Sequence, residues 1–159
     1  MAHGIPKGYH SVTPGLTVRD GAKAIEFYKQ AFGAKEISRM VAPGGKIGHA
    51  ELQIGDSRIM LGDEFPGSAR SPISLGGTTV SFHVYFADVD SAFKQAVAAG
   101  AKAGMAPADM FWGDRYAKVT DPFGHSWGLA THVKDVTPEE MQKGAEAAFE
   151  QMRTQQRHG

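Results

Sequence analysis

Apolar residues along the chain fall into two alternating rhythms, and the order of those rhythms occurs twice. Ser11–Val18 reads as a short extended run, with Pro14 marking a strand start or an edge strand. Asp20 follows as a helix N-cap, and Ala24, Ile25, Phe27, Tyr28, Ala31 and Phe32 recur at helical spacing up to Gly33, a natural helix stop. Three strand-like runs come next, Glu36–Val41, Ile47–Ile54 and Ser57–Leu61, parted by Pro43-Gly44-Gly45 and Gly55-Asp56. The stretch from Gly62 to Thr78 is rich in Gly, Ser and Pro and has no period, so it reads as a linker. The pattern then restarts. Thr79–Phe86 is a strand, Asp88 or Asp90 caps a helix bearing Ala92, Phe93, Ala96, Val97 and Ala99, and Gly100 ends it. Ala101–Met105, Arg115–Thr120 and Ser126–Thr131 supply the later strands, the last preceded by the turn Asp121-Pro122-Phe123-Gly124. Element order is therefore βαβββ twice: module one at 9–62, a linker at 63–78 and module two at 79–132. A C-terminal helix over 137–155 opens with Thr-Pro-Glu-Glu and carries a thin apolar stripe, Met141, Ala145, Ala148, Phe149 and Met152.

Composition narrows the function classes. Seventeen basic and seventeen acidic residues cancel, which argues against the basic field that nucleic acid or an anionic membrane would require. The chain has no Cys, which removes disulfides, thiolate zinc sites and cysteine nucleophiles. No apolar run approaches the roughly 20 residues of a membrane span, and the N-terminus lacks the apolar core of a signal peptide. A cytoplasmic protein is the expectation. Twenty Gly in 159 residues point to many tight turns or close backbone approaches.

Strand alternation selects the candidate site residues. His49 and Glu51 share one face of their strand, opposite the small apolar Gly48, Ala50 and Leu52. Ser81, His83 and Tyr85 likewise lie opposite Phe82, Val84 and Phe86. Both polar sets are expected to face a cavity. Trp112, Arg115 and Tyr116 sit between strands of module two and offer a flat apolar wall with a guanidinium for a carboxylate or phosphate. No serine-hydrolase elbow and no phosphate-binding loop occurs; Pro43–Gly48 mimics only part of the latter, within a hairpin turn.

Four segments, 18–36, 46–64, 82–101 and 111–132, together resemble the vicinal oxygen chelate superfamily (glyoxalase I, bleomycin-resistance proteins, extradiol dioxygenases). Within it the chain is most similar to the PhnB-like branch, through His49-Ala50-Glu51-Leu52 and Phe111-Trp112-Gly113-Asp114-Arg115-Tyr116. The resemblance implies an α+β fold of two βαβββ modules curled as an incomplete barrel around a cavity, and a homodimer. It also implies metal-ligand positions on the first and last strand of each module, and these fall on Thr13, Met60, Ser81 and Gly128. Those side chains cannot supply the converging imidazoles and carboxylates of a divalent site. Binding of a small organic molecule in the inter-module cavity, by His49, Glu51, His83, Tyr85, Trp112, Arg115 and Tyr116 and without a cofactor, is the leading expectation. The rival is a metal-dependent lyase or dioxygenase whose divalent ion is held by a displaced set, His49, Glu51 and His83. A third reading is metal-free acid–base chemistry by His49 with Glu51, or by His83.

Overall fold

The computed structural model describes residues 4–157. Its elements are β1 (Gly15–Val18), α1 (Gly21–Phe32), β2 (Lys35–Val41), β3 (Ile47–Ile54), β4 (Ser57–Asp63), α2 (Pro72–Leu75), β5 (Ser81–Tyr85), α3 (Val89–Ala99), β6 (Lys102–Asp109), β7 (Asp114–Thr120), β8 (Ser126–His132) and α4 (Pro138–Gln156). They make two four-stranded sheets of one topology, ordered β1-β4-β3-β2 and β5-β8-β7-β6. In each, the first strand runs parallel to the last and the others pair antiparallel. The fold is α+β with two modules and no closed barrel. No described helix is long and apolar enough to cross a membrane.

Three boundaries depart from the sequence reading. The first strand starts at Gly15 rather than Ser11, although the carbonyl of Pro14 still accepts from the Met60 amide at 2.8 Å. Proline has no amide with which to extend the ladder. The linker contains α2, capped by Ser71, with Pro72 at its first position; Glu64 accepts from the Ser71 amide and, at 2.9 Å, from the Ser74 hydroxyl. Strand β6 continues to Asp109 through two register shifts that absorb the run containing Pro107.

Local chemistry fixes each module. Asp20 caps α1 by accepting from the Lys23 amide at 3.1 Å, and Gly33 closes it in the left-handed conformation at φ 65°. The buried Asp63 at the end of β4 accepts from the amides of Gly21 (2.9 Å) and Ile47 (2.7 Å), tying the start of α1 to β3. A side chain at position 21 would drive into Ile47, its Cβ only 2.7 Å from that residue's. Each of α1 and α3 covers one face of its own sheet, and the two helices pack against each other, so the modules meet through helices rather than strand pairing. The resulting core runs from Val18, Ile25 and Leu52 through Tyr28 and Phe32 to Trp127 and Leu129.

One buried carboxylate joins the halves. Asp121, 4% exposed, accepts from the Tyr28 hydroxyl of α1 (2.5 Å), from Trp127 Nε1 (2.8 Å) and from the amides of Phe123 and His125 (2.9 Å each). Replacing it with alanine strands these buried donors, each costing about 1–3 kcal/mol, so Asp121→Ala is expected to destabilise the protein by roughly 3–5 kcal/mol. Urea unfolding measures this; a loss below about 1 kcal/mol would show that the seam is held elsewhere.

Candidate functional site in the groove between the modules

β5 pairs with β8 along one edge only, and its other edge borders a groove of about 750 Å³. The opposite wall is the segment 10–14 and the β3–β4 hairpin of module one. Phe32, Phe82 and Trp127 form an apolar floor, with ring centroids 4.7 Å apart for Phe32–Trp127 and 4.8 Å for Phe82–Trp127. Because the groove runs along a strand edge, both faces of β5 reach it: Phe82, Val84 and Phe86 from one, Ser81, His83 and Tyr85 from the other. His10, Ser57 and Arg58 add polar groups from module one.

His83 also borders a second cavity, of about 490 Å³, with Met105, Met110, Trp112, Tyr116 and Lys118. Its ring stacks on Tyr116 at 5.4 Å and 11°, and Trp112 meets Tyr116 edge-on at 5.7 Å. Asp114 lies beside this aromatic group and is only 4% exposed. It accepts from the Tyr85 hydroxyl (3.1 Å) and from His132 Nδ1 (2.8 Å), and lies 4.0 Å from His83 Nε2. The other nitrogen of His132 meets Asp135 at 2.8 Å. An imidazole donates to two carboxylates from both nitrogens only as the imidazolium, so this setting favours the charged form of His132. Asp135 first, then Asp114, raises its pKa above the ordinary histidine value. Burial pushes Asp114 up, but hydrogen bonds from His132 and Tyr85 outweigh it and hold the carboxyl below its ordinary value.

On the open face of the first sheet, His49 Nε2 lies 3.5 Å and Arg58 Nη1 3.6 Å from the Glu51 carboxylate. The Tyr9 hydroxyl beside it, together with His49 and Arg58, holds Glu51 below the ordinary carboxylate range. Tyr9 also lies over the guanidinium of Arg58, at 4.7 Å.

The predicted residues thus separate. His83 and Tyr85 border the large groove, and Trp112 and Tyr116 the second cavity. His49 and Glu51 adjoin each other on the first sheet. Arg115 leaves the set: it alternates onto the helix face of β7, where Asp90 of α3 takes its Nε at 2.6 Å and its Nη2 at 3.0 Å, and Asp109 takes Nη1 at 3.1 Å. Arg58, His10, Asp114 and the floor residues Phe82 and Trp127 were not singled out. The alternation that places Tyr116 on the open face places Asp114 there too, but nothing local marks it as buried.

A metal at the superfamily's positions does not fit these residues. Thr13 and Ser81 border the groove, Met60 stands opposite Glu51, and Gly128 stands opposite His83. A Cβ at Gly128 would come within 2.8 Å of the Tyr116 ring and hydroxyl, so the tyrosine covers the place where a ligating side chain would project. Among the described residues no three His, Cys, Asp or Glu side chains group in a way that would hold a metal ion.

Comparison with known proteins matches residues 9–129 to the family model of the glyoxalase/bleomycin resistance protein/dioxygenase superfamily. An uncharacterised protein of Mycobacterium tuberculosis (strain H37Rv) is 45% identical over 136 residues, covering 83% of this chain and 80% of that one. The crystal structure of the At5g48480 gene product of Arabidopsis thaliana is 30% identical with a TM-score of 0.63, over 77% of this chain and 98% of that one. The PhnB protein of Bacillus cereus shares the fold, at 18% identity and a TM-score of 0.59, over 77% of this chain and 99% of that one.

The two-carboxylate clasp on His132 has a pH signature. A folded-state pKa above the unfolded value of about 6.5 makes the clasp's contribution fully present below that pH, and lost as pH rises through the folded pKa. In an NMR titration His132 is expected to lose its proton above pH 6.5, and Asp135→Asn to move that midpoint down. An unmoved midpoint would exclude Asp135 as the main cause.

Proposed function

The chain belongs to the glyoxalase/bleomycin resistance protein/dioxygenase superfamily, and from that premise we propose that it binds a small organic molecule in the inter-module groove without a metal at the superfamily's positions. The observation that carries this is the groove itself: about 750 Å³, with an apolar aromatic floor and a rim of hydroxyls, imidazoles and a guanidinium. That division of apolar area and a few polar groups is the usual make-up of a small-molecule site. The pair His83 and Tyr85, bound to or beside Asp114, supplies orientation: Tyr85 donates to the carboxylate and His83 is stacked on Tyr116. No nucleophile, and no metal or cofactor, enters this reading.

The working unit is a homodimer. Each chain leaves one edge of β2 and one of β5 without a strand partner. Met40, Val41 and Tyr85 are 64%, 60% and 61% exposed. Free edges beside exposed apolar side chains are surfaces a second copy covers.

Two measurements test these statements. A ligand at 100 times its dissociation constant adds about 2.7 kcal/mol of stability, and a chain of this size gains roughly 5–10 °C in Tm. A thermal-shift screen of small aromatic and aliphatic compounds is expected to find such ligands, and Ser81→Phe, which intrudes into the groove, to abolish the shifts while leaving the unliganded Tm near that of the parent. Hits that survive in that variant would place binding elsewhere. Sedimentation velocity at micromolar concentration is expected to give twice the chain mass; a monomer would overturn the dimer.

A further inference from the structure

We propose that the groove selects organic anions, molecules with an apolar ring or chain and one carboxylate or phosphate, and that Arg58 is the anchor for the charged end. This rests on the reading of the groove as a ligand site and adds the chemistry of what enters it. Two other arginines, Arg39 and Arg115, are closed by bidentate carboxylates. Arg39 grips both oxygens of Glu36 (2.5 and 2.8 Å), and Arg115 grips both oxygens of Asp90. Arg58 differs. Its side chain is 19% exposed and borders the groove, the Tyr9 ring packs against its guanidinium, and its carboxylate contact, with Glu51, is long at 3.6 Å.

A guanidinium is always charged and presents five donors in a rigid fork, and a single carboxylate at 3.6 Å leaves most of the Arg58 fork's charge unmet. Glu51 meets one terminal nitrogen of the fork, at 3.6 Å, while its other oxygen lies 3.5 Å from His49. The rest of the lining agrees in sign. His10 and His83 and the hydroxyl of Ser81 offer donors. Asp56 is the one carboxylate residue on the lining among the described residues, and it accepts from the Ser57 hydroxyl at 2.8 Å. Below these groups lies the Phe32–Phe82–Trp127 floor, complementary to an apolar body. The charged anchor expected of Arg115 is thus supplied from module one.

Isothermal titration calorimetry with 2-naphthoate, 2-naphthyl phosphate and the neutral 2-naphthamide tests the proposal. At least one anion is expected to bind ten-fold or more tightly than the amide, with affinity falling as NaCl rises; the two anions distinguish carboxylate from phosphate. Arg58→Gln is expected to remove the anion preference while leaving the amide's affinity unchanged, which also reports an intact groove. Glu51→Gln, which frees Arg58 of its competitor, is expected to tighten the anion several-fold and serves if Arg58→Gln does not fold. Equal binding of amide and anions, or an anion preference retained in Arg58→Gln, overturns the charge assignment and leaves the groove as a neutral-ligand site. Absence of binding by all three probes overturns the proposal together with the groove reading.

Discussion

Burying the Asp121 carboxylate is the constraint from which the arrangement of the two modules follows. A carboxylate withdrawn from water is tolerated only where donors replace its hydration. Here the donors come from opposite sides of the seam: a tyrosine on α1, the indole of β8, and two amides of the turn that Asp121 itself opens. A displacement of one module against the other would break the Tyr28 bond and leave that hydroxyl buried without an acceptor and the carboxylate short of one donor. The same turn reaches module one a second time, where the His125 ring lies 3.0 Å from the Thr17 carbonyl of β1. Trp127, held through its nitrogen, presents its ring to Phe32 and Phe82. The floor of the groove is therefore fixed by the interaction that fixes the seam and is in place before anything enters it.

The open face of the second sheet follows a different logic. Gly128 lacks a side chain, and the ring of Tyr116 lies where one would project. His83 then stacks on that ring, opposite Gly128 on the neighbouring strand. Where the superfamily's pattern would put a ligand, this chain has an aromatic surface backed by Asp114, and the charge of that carboxylate is met by His132 and Tyr85. A carboxylate already engaged in this way has little left to offer a cation. The polar residues of the face orient and support; the less fully engaged donors lie on the groove side, at Arg58 and His10.

Much of the architecture was legible in the sequence because it is written locally. Asp20 and Gly33 mark both ends of α1, and Gly55-Asp56 marks the β3–β4 hairpin. The misses are non-local. Arg115 and Tyr116 are neighbours in sequence, yet one turns to Asp90 on α3 and the other to the open face; choosing between faces required knowing where α3 packs. Arg58 looks like an ordinary charged residue of a hairpin. Its place on the groove, with a carboxylate held only at 3.6 Å, is a matter of tertiary packing that no spacing encodes. Asp114 reads as a turn residue and becomes a buried hub only when β8 brings His132 beside it.

The free edge of β5 ties these observations together. An unpaired strand edge invites pairing with other chains, and proteins protect it with charges, irregular strands or a covering element. In this chain the edge is separated from module one by the groove, and the β3–β4 hairpin stands across from it. The seam contacts of Asp121 and His125 keep the two walls at a set distance, too far for β5 to pair with β1 and close enough for side chains of both modules to border one space. Duplicated modules that meet through helices thus leave between them a groove bordered by the edge of one and the hairpin of the other. Its floor comes from the shared core, and its polar rim comes from positions that differ between the copies. Identical topology supplies the space; the sequence differences, Arg58 on one side and His83 on the other, give it chemical character.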